Sequence, residues 1–209
     1  MSSATHKYYT ALIRLFDSNQ QLPSEIVQPG QRPGEHGLDL ASLKEASVLI
    51  PVTRGGDGRH HELVLTVRSA NLRSHAGQIS LPGGGREKQD RDHADTALRE
   101  SEEEIGLQRQ HVEILGKLGQ LALPSGFCIT PVIGVIENDL QFTACPDEVA
   151  DIFHVPIDIA LEADAYHEST YPYRGAERKI YEVFYEDYRI WGATAAILHH
   201  LASLIKPHL

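Results

Sequence analysis

Three carboxylates carry the strongest chemical signal in this 209-residue chain: Glu100, Glu103 and Glu104. Successive residues of an α-helix rotate by about 100°, so positions i, i+3 and i+4 share one face. Carboxylates stacked in that way repel one another and cost helix stability unless something offsets the charge. Either the face is solvated, as most acidic runs are, or a hard cation such as Mg2+ or Mn2+ uses the oxygens as ligands. The run is led by Arg99 and closed by Gly106-Leu107, and a glycine loop, Gly83-Gly84-Gly85, lies ahead of it. Glycine there lets backbone come close to the helix and to a ligand. That combination is far more specific than the acidic run alone, and it points to a cation site.

The elements that must position these residues follow from local pattern. Residues 92–105 hold no Gly or Pro and mix Ala, Leu, Arg and Glu, which predicts a helix stopped by Gly106. Residues 46–53 and 61–67 are apolar and β-branched around Gly55-Gly56-Asp57-Gly58, a hairpin pattern. Residues 112–121, 130–137 and 178–185 predict further strands, and 193–205 predicts a second helix from its three- and four-residue apolar spacing. Near the start, Tyr8, Leu12, Ile13, Leu15 and Phe16 predict a short helix over residues 7–17. A Pro- and Gly-rich irregular arm then runs to about residue 40. Strands, a helix, more strands and a helix make a mixed α/β domain with a mixed sheet over 41–209, with the helix and arm of 1–40 packed on it.

Composition excludes several classes. Nineteen Lys and Arg against 29 Asp and Glu leave a formal charge of −10, which argues against a protein that coats nucleic acid. An anionic small ligand then has to be met locally, by a few arginines and bound cations. The two cysteines, Cys128 and Cys145, form no CxxC and are expected as buried free thiols in a reducing, cytoplasmic setting. No secretion signal and no stretch of about 20 apolar residues is seen. The glycines lack the following Lys-Ser/Thr of a phosphate-binding P-loop. The pairs His60-His61 and His199-His200 lack a zinc spacing and are expected at the surface or its boundary. Trp191 is expected as a core or interface anchor.

The segment Gly84 to Leu107 resembles the Nudix box, G-x5-E-x7-R-E-U-x-E-E-x-G-U with U aliphatic. Asp90 falls at the first Glu of the box, Arg99 comes one residue late, and Ser101 stands where an aliphatic residue is usual. Just upstream, Leu65-Thr66-Val67-Arg68-Ser69-Ala70-Asn71-Leu72-Arg73-Ser74-His75-Ala76-Gly77-Gln78-Ile79-Ser80-Leu81-Pro82-Gly83-Gly84 is similar to the extra motif of the coenzyme A (CoA) pyrophosphatase subgroup, where that one-residue insertion is expected. The match is strong over 65–107 and weaker to about 156.

The resemblance implies an α/β/α sandwich and a metal-dependent hydrolase of CoA or CoA thioesters. Its products would be 3′,5′-ADP and 4′-phosphopantetheine or its acylated form. It implies Glu100, Glu103 and Glu104 as ligands of Mg2+ or Mn2+, one of them doubling as base. Arg68, Arg73, His75 and Gln78 are implied as substrate contacts, since the planar fork of Arg suits phosphate. Arg99 is implied as an orienting partner of the glutamates. Gly84 shapes the loop, and Glu87 and Asp90 position the loop or a metal-bound water, with a helix-cap or surface role as an equal alternative for the two acids. Glu148 is a candidate further ligand or base from a later loop. Two rival functions stay open: a Nudix hydrolase of ADP-ribose or a nucleoside triphosphate, and a non-catalytic nucleotide-binding regulator on the same fold. A homodimer is the expected assembly by frequency alone.

Overall fold

A strand that is apolar on both faces needs a helical layer on each side, and this chain supplies both. The computed structural model describes residues 3–18, 20–34, 38–56, 58–72 and 74–209. Helix α1 (Ser3–Asp17) leads through the arm to strands β1 (Lys44–Thr53), β2 (Glu62–Arg68), β3 (Ile79–Ser80) and β4 (Gly83–Gly85). Helix α2 (His93–Ile105) follows, then β5 (Val112–Lys117), β6 (Leu121–Leu123), β7 (Phe127–Ile136) and β8 (Val149–Pro156). The one-turn α3 (Ile157–Ala160) precedes β9 (His167–Tyr173), β10 (Ala176–Tyr185), β11 (Tyr188–Trp191) and α4 (Gly192–Ile205).

β1 runs parallel to β7 along its whole length, Lys44 against Phe127 to Thr53 against Ile136. It is antiparallel to β2 and β4. β3 and β8 join β2, and β5 and β6 join β7, giving a mixed eight-stranded sheet. β9, β10 and β11 form a separate antiparallel sheet.

The two-residue period of the strands sorts the core. Leu49, Val64, Val132 and Ile136 face one way and meet Ala97 and Ile105 of α2. Their neighbours Ile50, Leu63, Leu65 and Ile133 face the other way and share a core with Leu12 and Leu15 of α1 and Leu198 and Leu201 of α4. Each such side chain contributes about 1.5–3 kcal/mol on full burial. The result is an α/β/α sandwich with α2 alone on one side.

Several boundaries depart from the local pattern. α1 begins at Ser3, a turn earlier than its apolar spacing marks. The expected strand over 112–121 breaks into β5 and β6 because the N-terminal arm crosses there. Gln120 N–H donates to the Ser24 carbonyl and Ile26 N–H to the Gln120 carbonyl, and a Cβ on Gly119 would collide with the arm's backbone. His61 is not a surface residue: it is 4% exposed and stacks on Tyr9 of α1 with ring centroids 4.0 Å apart. Its partner His60 is exposed, whereas His199 and His200 are half-buried. Of the two free thiols Cys128 is buried, but Cys145 only partly so. No helix among the described residues is long and apolar enough to cross a membrane.

α2 ends where Gly106 adopts φ 70°, and its N–H closes the helix onto Glu102 and Ser101 carbonyls. A Cβ there would meet Thr143 at an ordinary 3.5 Å, so the cost of a side chain is purely conformational. Gly106→Ala is therefore expected to destabilise by about 1–2 kcal/mol, the left-handed penalty of an L-residue. Urea unfolding should show a lowered midpoint with unchanged slope. No loss would mean that the helix end relaxes freely.

Candidate active site

The box helix is fixed at its start from several directions. Asp92 caps it by accepting from Asp95 N–H at 2.9 Å, and His93 Nδ1 lies 3.1 Å from the Oγ of buried Ser47 on β1. Asp90, itself buried, accepts from Glu87 N–H at 2.8 Å and from Thr96 Oγ1 at 3.0 Å. Arg99 then closes on Asp90 with a two-pronged pair, Nε to Oδ1 and Nη2 to Oδ2, both 3.0 Å. The guanidinium, helped by those two donors, holds the Asp90 carboxyl down to about 2. Asp90 is thus the anchor of the loop rather than a free oxygen donor. The extra residue relative to the box is taken up in the turn before Asp92, since α2 is regular from His93 on.

Arg99 also reaches the glycine strand and the acids. Nη2 donates to the Gly85 carbonyl at 2.9 Å, and Nη1 to Glu100 at 3.0 Å and Glu103 at 3.3 Å. Glu104 is 2% exposed, yet among the described residues its side chain receives only the Gly83 N–H at 3.0 Å and the distant Arg68 Nη1 at 3.9 Å. Burial, reinforced by the charges of Glu148 and Glu100, pushes its carboxyl up to about 7 against those two opposing contacts. Burial raises Glu100 as well, opposed by Arg99 and assisted by Glu103 and Glu148. Glu100 rests directly on Gly84, where an added Cβ would sit 2.4 Å from its Oε2.

The side chains singled out from sequence are therefore distributed as follows. Glu100, Glu103 and Glu104 lie together on α2 against β4, with Arg68 at the end of β2 facing Glu104 and with Glu148 acting on both buried acids. Among the described residues no three His, Cys, Asp or Glu side chains converge into a ready-made ion cage. Arg99 holds Glu100 and Glu103, and Gly83 holds one oxygen of Glu104, so the acids point at protein donors. His75 and Gln78 pair with each other at 2.9 Å on the loop between β2 and β3, and Arg68 N–H donates to the Gln78 carbonyl at 2.9 Å. Glu87 is exposed and its side chain pairs with Gln89. Arg73 lies outside the described residues.

Sequence alone missed Thr96, Ser47, His93 and the Gly83 amide, which hold the loop and helix in place. Nothing in their spacing marks them, because each acts across a distance in the chain that only the fold closes. Ser101 is explained by the structure: fully buried, its hydroxyl donates to the Ala97 carbonyl at 2.7 Å, so it satisfies itself where an apolar residue would otherwise pack.

The chain is similar to several known proteins. The model of the NUDIX domain matches residues 43–174. "Uncharacterized Nudix hydrolase NudL" of Photorhabdus laumondii is 36% identical over 195 residues, which cover 93% of this chain and all of that relative. The protein of the same name from Citrobacter koseri is 40% identical over 174 residues, 83% of this chain and 88% of its own. Among solved structures, a MutT/nudix family protein from Enterococcus faecalis aligns with a TM-score of 0.49 at 14% identity, covering 96% of this chain and 73% of that one. The NUDIX domain of Shewanella oneidensis NrtR, solved with ADP ribose, aligns with a TM-score of 0.44 at 16% identity over 61% and 84% of the two chains. With a family model spanning well over half its length and full-length relatives above 30% identity, the chain belongs to the Nudix hydrolases, which act on pyrophosphate bonds of nucleoside diphosphate derivatives.

Proposed function

We propose that this chain hydrolyses the pyrophosphate bond of CoA or a CoA thioester, releasing 3′,5′-ADP and 4′-phosphopantetheine or its acyl form. The observation that carries the proposal is the approach of Arg68 to Glu104. Arg68 belongs to the segment similar to the CoA-specific motif, and Glu104 to the box. Their meeting makes the two motifs one site, in which a phosphate bound by the first lies beside the acids of the second.

The donor set fits a hard divalent cation. Glu100 and Glu104 are both raised by burial and by neighbouring negative charge, a strain that a cation among carboxylate oxygens relieves. Glu100, Glu103 and Glu104 would hold Mg2+ or Mn2+, which when bound neutralises the diphosphate charge that otherwise repels a nucleophile. Arg99 keeps Glu100 and Glu103 close by its Nη1 while its other edge stays locked on Asp90. Arg68 offers its guanidinium to a phosphate oxygen, and Arg73, His75 and Gln78 serve the remainder of the ligand. One glutamate of the helix, or Glu148 across from it, takes the proton of the attacking water. No covalent intermediate on the protein is needed. The free thiols fit a reducing, cytoplasmic setting.

Incubation with CoA and Mg2+ or Mn2+, followed by chromatography, tests the substrate. The expected products are 3′,5′-ADP and 4′-phosphopantetheine. Intact CoA beside cleaved ADP-ribose or nucleoside triphosphate would overturn it in favour of a broader Nudix activity, and no cleavage of any of them would favour a binding module.

A further inference from the structure

The outward face of the three-stranded sheet interleaves aromatic rings with arginines. Pairing sets Tyr171 opposite Arg178, Trp191 opposite Glu182, and Arg189 opposite Phe184, so these alternate residues share one side. The other side carries buried Val183 and Ile190 and stacks Tyr181 on His199 of α4, which turns it towards the body, while on the outward side only Ile180, among the described residues of this sheet, is buried. On the outward side the rings of Tyr171 and Trp191 lie 4.6 Å apart at a tilt of 43°, and Arg189 lies over the Trp191 ring at 5.3 Å. Arg174 and Arg178 lie 5.3 and 5.7 Å from the ring of Tyr173. Glu182 answers Arg189 at 2.6 Å, whereas among the described residues no acid pairs with Arg174 or Arg178. In a chain of charge −10 this is a local cationic surface with an aromatic floor.

The end of β11 lies against β3, the strand that follows the Arg68–Gln78 loop. Just beyond Trp191, Thr194 Oγ1 donates to the Ile79 carbonyl at 3.0 Å. The adjoining Gln78 carbonyl accepts from Arg68, whose side chain faces Glu104. We propose that the outward face of β9–β11 holds the nucleotide end of the substrate, with the purine on the exposed ring of Tyr171 beside Trp191 and the 3′-phosphate on Arg178. Stacking on an aromatic platform suits a purine, and a guanidinium without an acid partner suits a phosphate dianion. This assignment rests on the CoA pyrophosphatase reading and names the part of the substrate that the acids do not touch.

Trp191 is the only tryptophan in the chain, so its emission reports on the face directly. Adenosine 3′,5′-bisphosphate titrated into the full chain with Mg2+ is expected to quench it saturably. 4′-Phosphopantetheine, which has a phosphate and no base, should leave it unchanged. Arg178→Gln, at an exposed position, should weaken the bisphosphate about tenfold and 5′-AMP by less than about twofold, as one charge-assisted contact is lost. No quenching, equal quenching by 4′-phosphopantetheine, or an unaltered bisphosphate affinity in the variant would overturn the assignment. Emission that instead follows protein concentration, with a doubled mass by light scattering, would overturn it by giving the face to a second copy. CoA hydrolysis is scored separately: quenching without hydrolysis removes the substrate and keeps the nucleotide face, and hydrolysis without quenching does the reverse.

Discussion

Replacing Glu104 by Gln should lower turnover by about 10²- to 10³-fold while leaving the protein at least as stable as the parent. The activity loss follows from removing a full negative charge where substrate charge has to be managed, an effect worth about 3–4 kcal/mol at comparable sites. The stability result follows from burial. Glu104 is 2% exposed, and its carboxyl is pushed up to about 7 from an ordinary 4.5, chiefly by loss of water. The folded protein therefore holds the proton more tightly than the unfolded chain. Between these two values the unfolded state binds fewer protons, so stability falls as pH rises from about 4.5 to about 7 and stays lower above. Gln has the same size, can still accept from Gly83 N–H, and has no proton to lose. In EDTA, where no cation intervenes, thermal unfolding of the parent should weaken with pH through that window and the variant should lack this component. Unchanged turnover in a folded variant removes the proposed role of Glu104. Parallel stability curves for the two proteins would remove the account of its burial.

Such a trade between function and stability explains why part of the molecule was legible in the sequence and part was not. The helix spanning Glu100 to Glu104 and its stop at Gly106 are local: propensity, spacing and one glycine suffice. The central strands were legible because residues such as Leu49 and Ile50 are apolar in succession and need a layer on both sides. β9 was not legible because its side chains lie mostly at the surface, and β11 because four residues are too short to show a period. The break at Gln120 was hidden as well, since it comes from an arm about 95 residues away in the chain. At the site, the types of Glu100, Arg99 and Asp90 were visible, but not the division of labour among them. Asp90 occupies the position of a box acid and yet serves Arg99 with both oxygens. That assignment depends on which way a loop folds over a helix, and two-dimensional spacing does not contain it. His61 makes the same point from the other direction: a polar residue in a paired motif is expected at the surface or its boundary, whereas a helix about 50 residues earlier supplies Tyr9 to cover its ring.

Gly84→Ala separates the site from the fold more sharply than any loss of a charged group. The backbone at Gly84 lies outside the left-handed region, so alanine meets no conformational penalty there, and the pairing of Gly84 with Ser47 on β1 does not involve a side chain. What the new methyl meets is the Glu100 carboxylate, at 2.4 Å from Oε2 and 2.5 Å from Cδ. A carboxylate at the end of a flexible side chain can swing aside, so the fold should tolerate the change within about 1 kcal/mol. The acid cannot swing aside and keep its place between Arg99 and the β4 backbone. A displacement on the order of 1 Å at such a group costs about 10²-fold in rate. The expected outcome is a variant that unfolds at nearly the parent temperature, turns over its substrate about a hundredfold more slowly, and needs more divalent cation for half-maximal rate. Gly85→Ala provides the comparison, because a Cβ at the next residue meets nothing within 4 Å and the Gly85 carbonyl that Arg99 uses is kept. Its loss should be far smaller. If the two alanines cost the same, the seat of Glu100 on the glycine backbone is not what sets the rate.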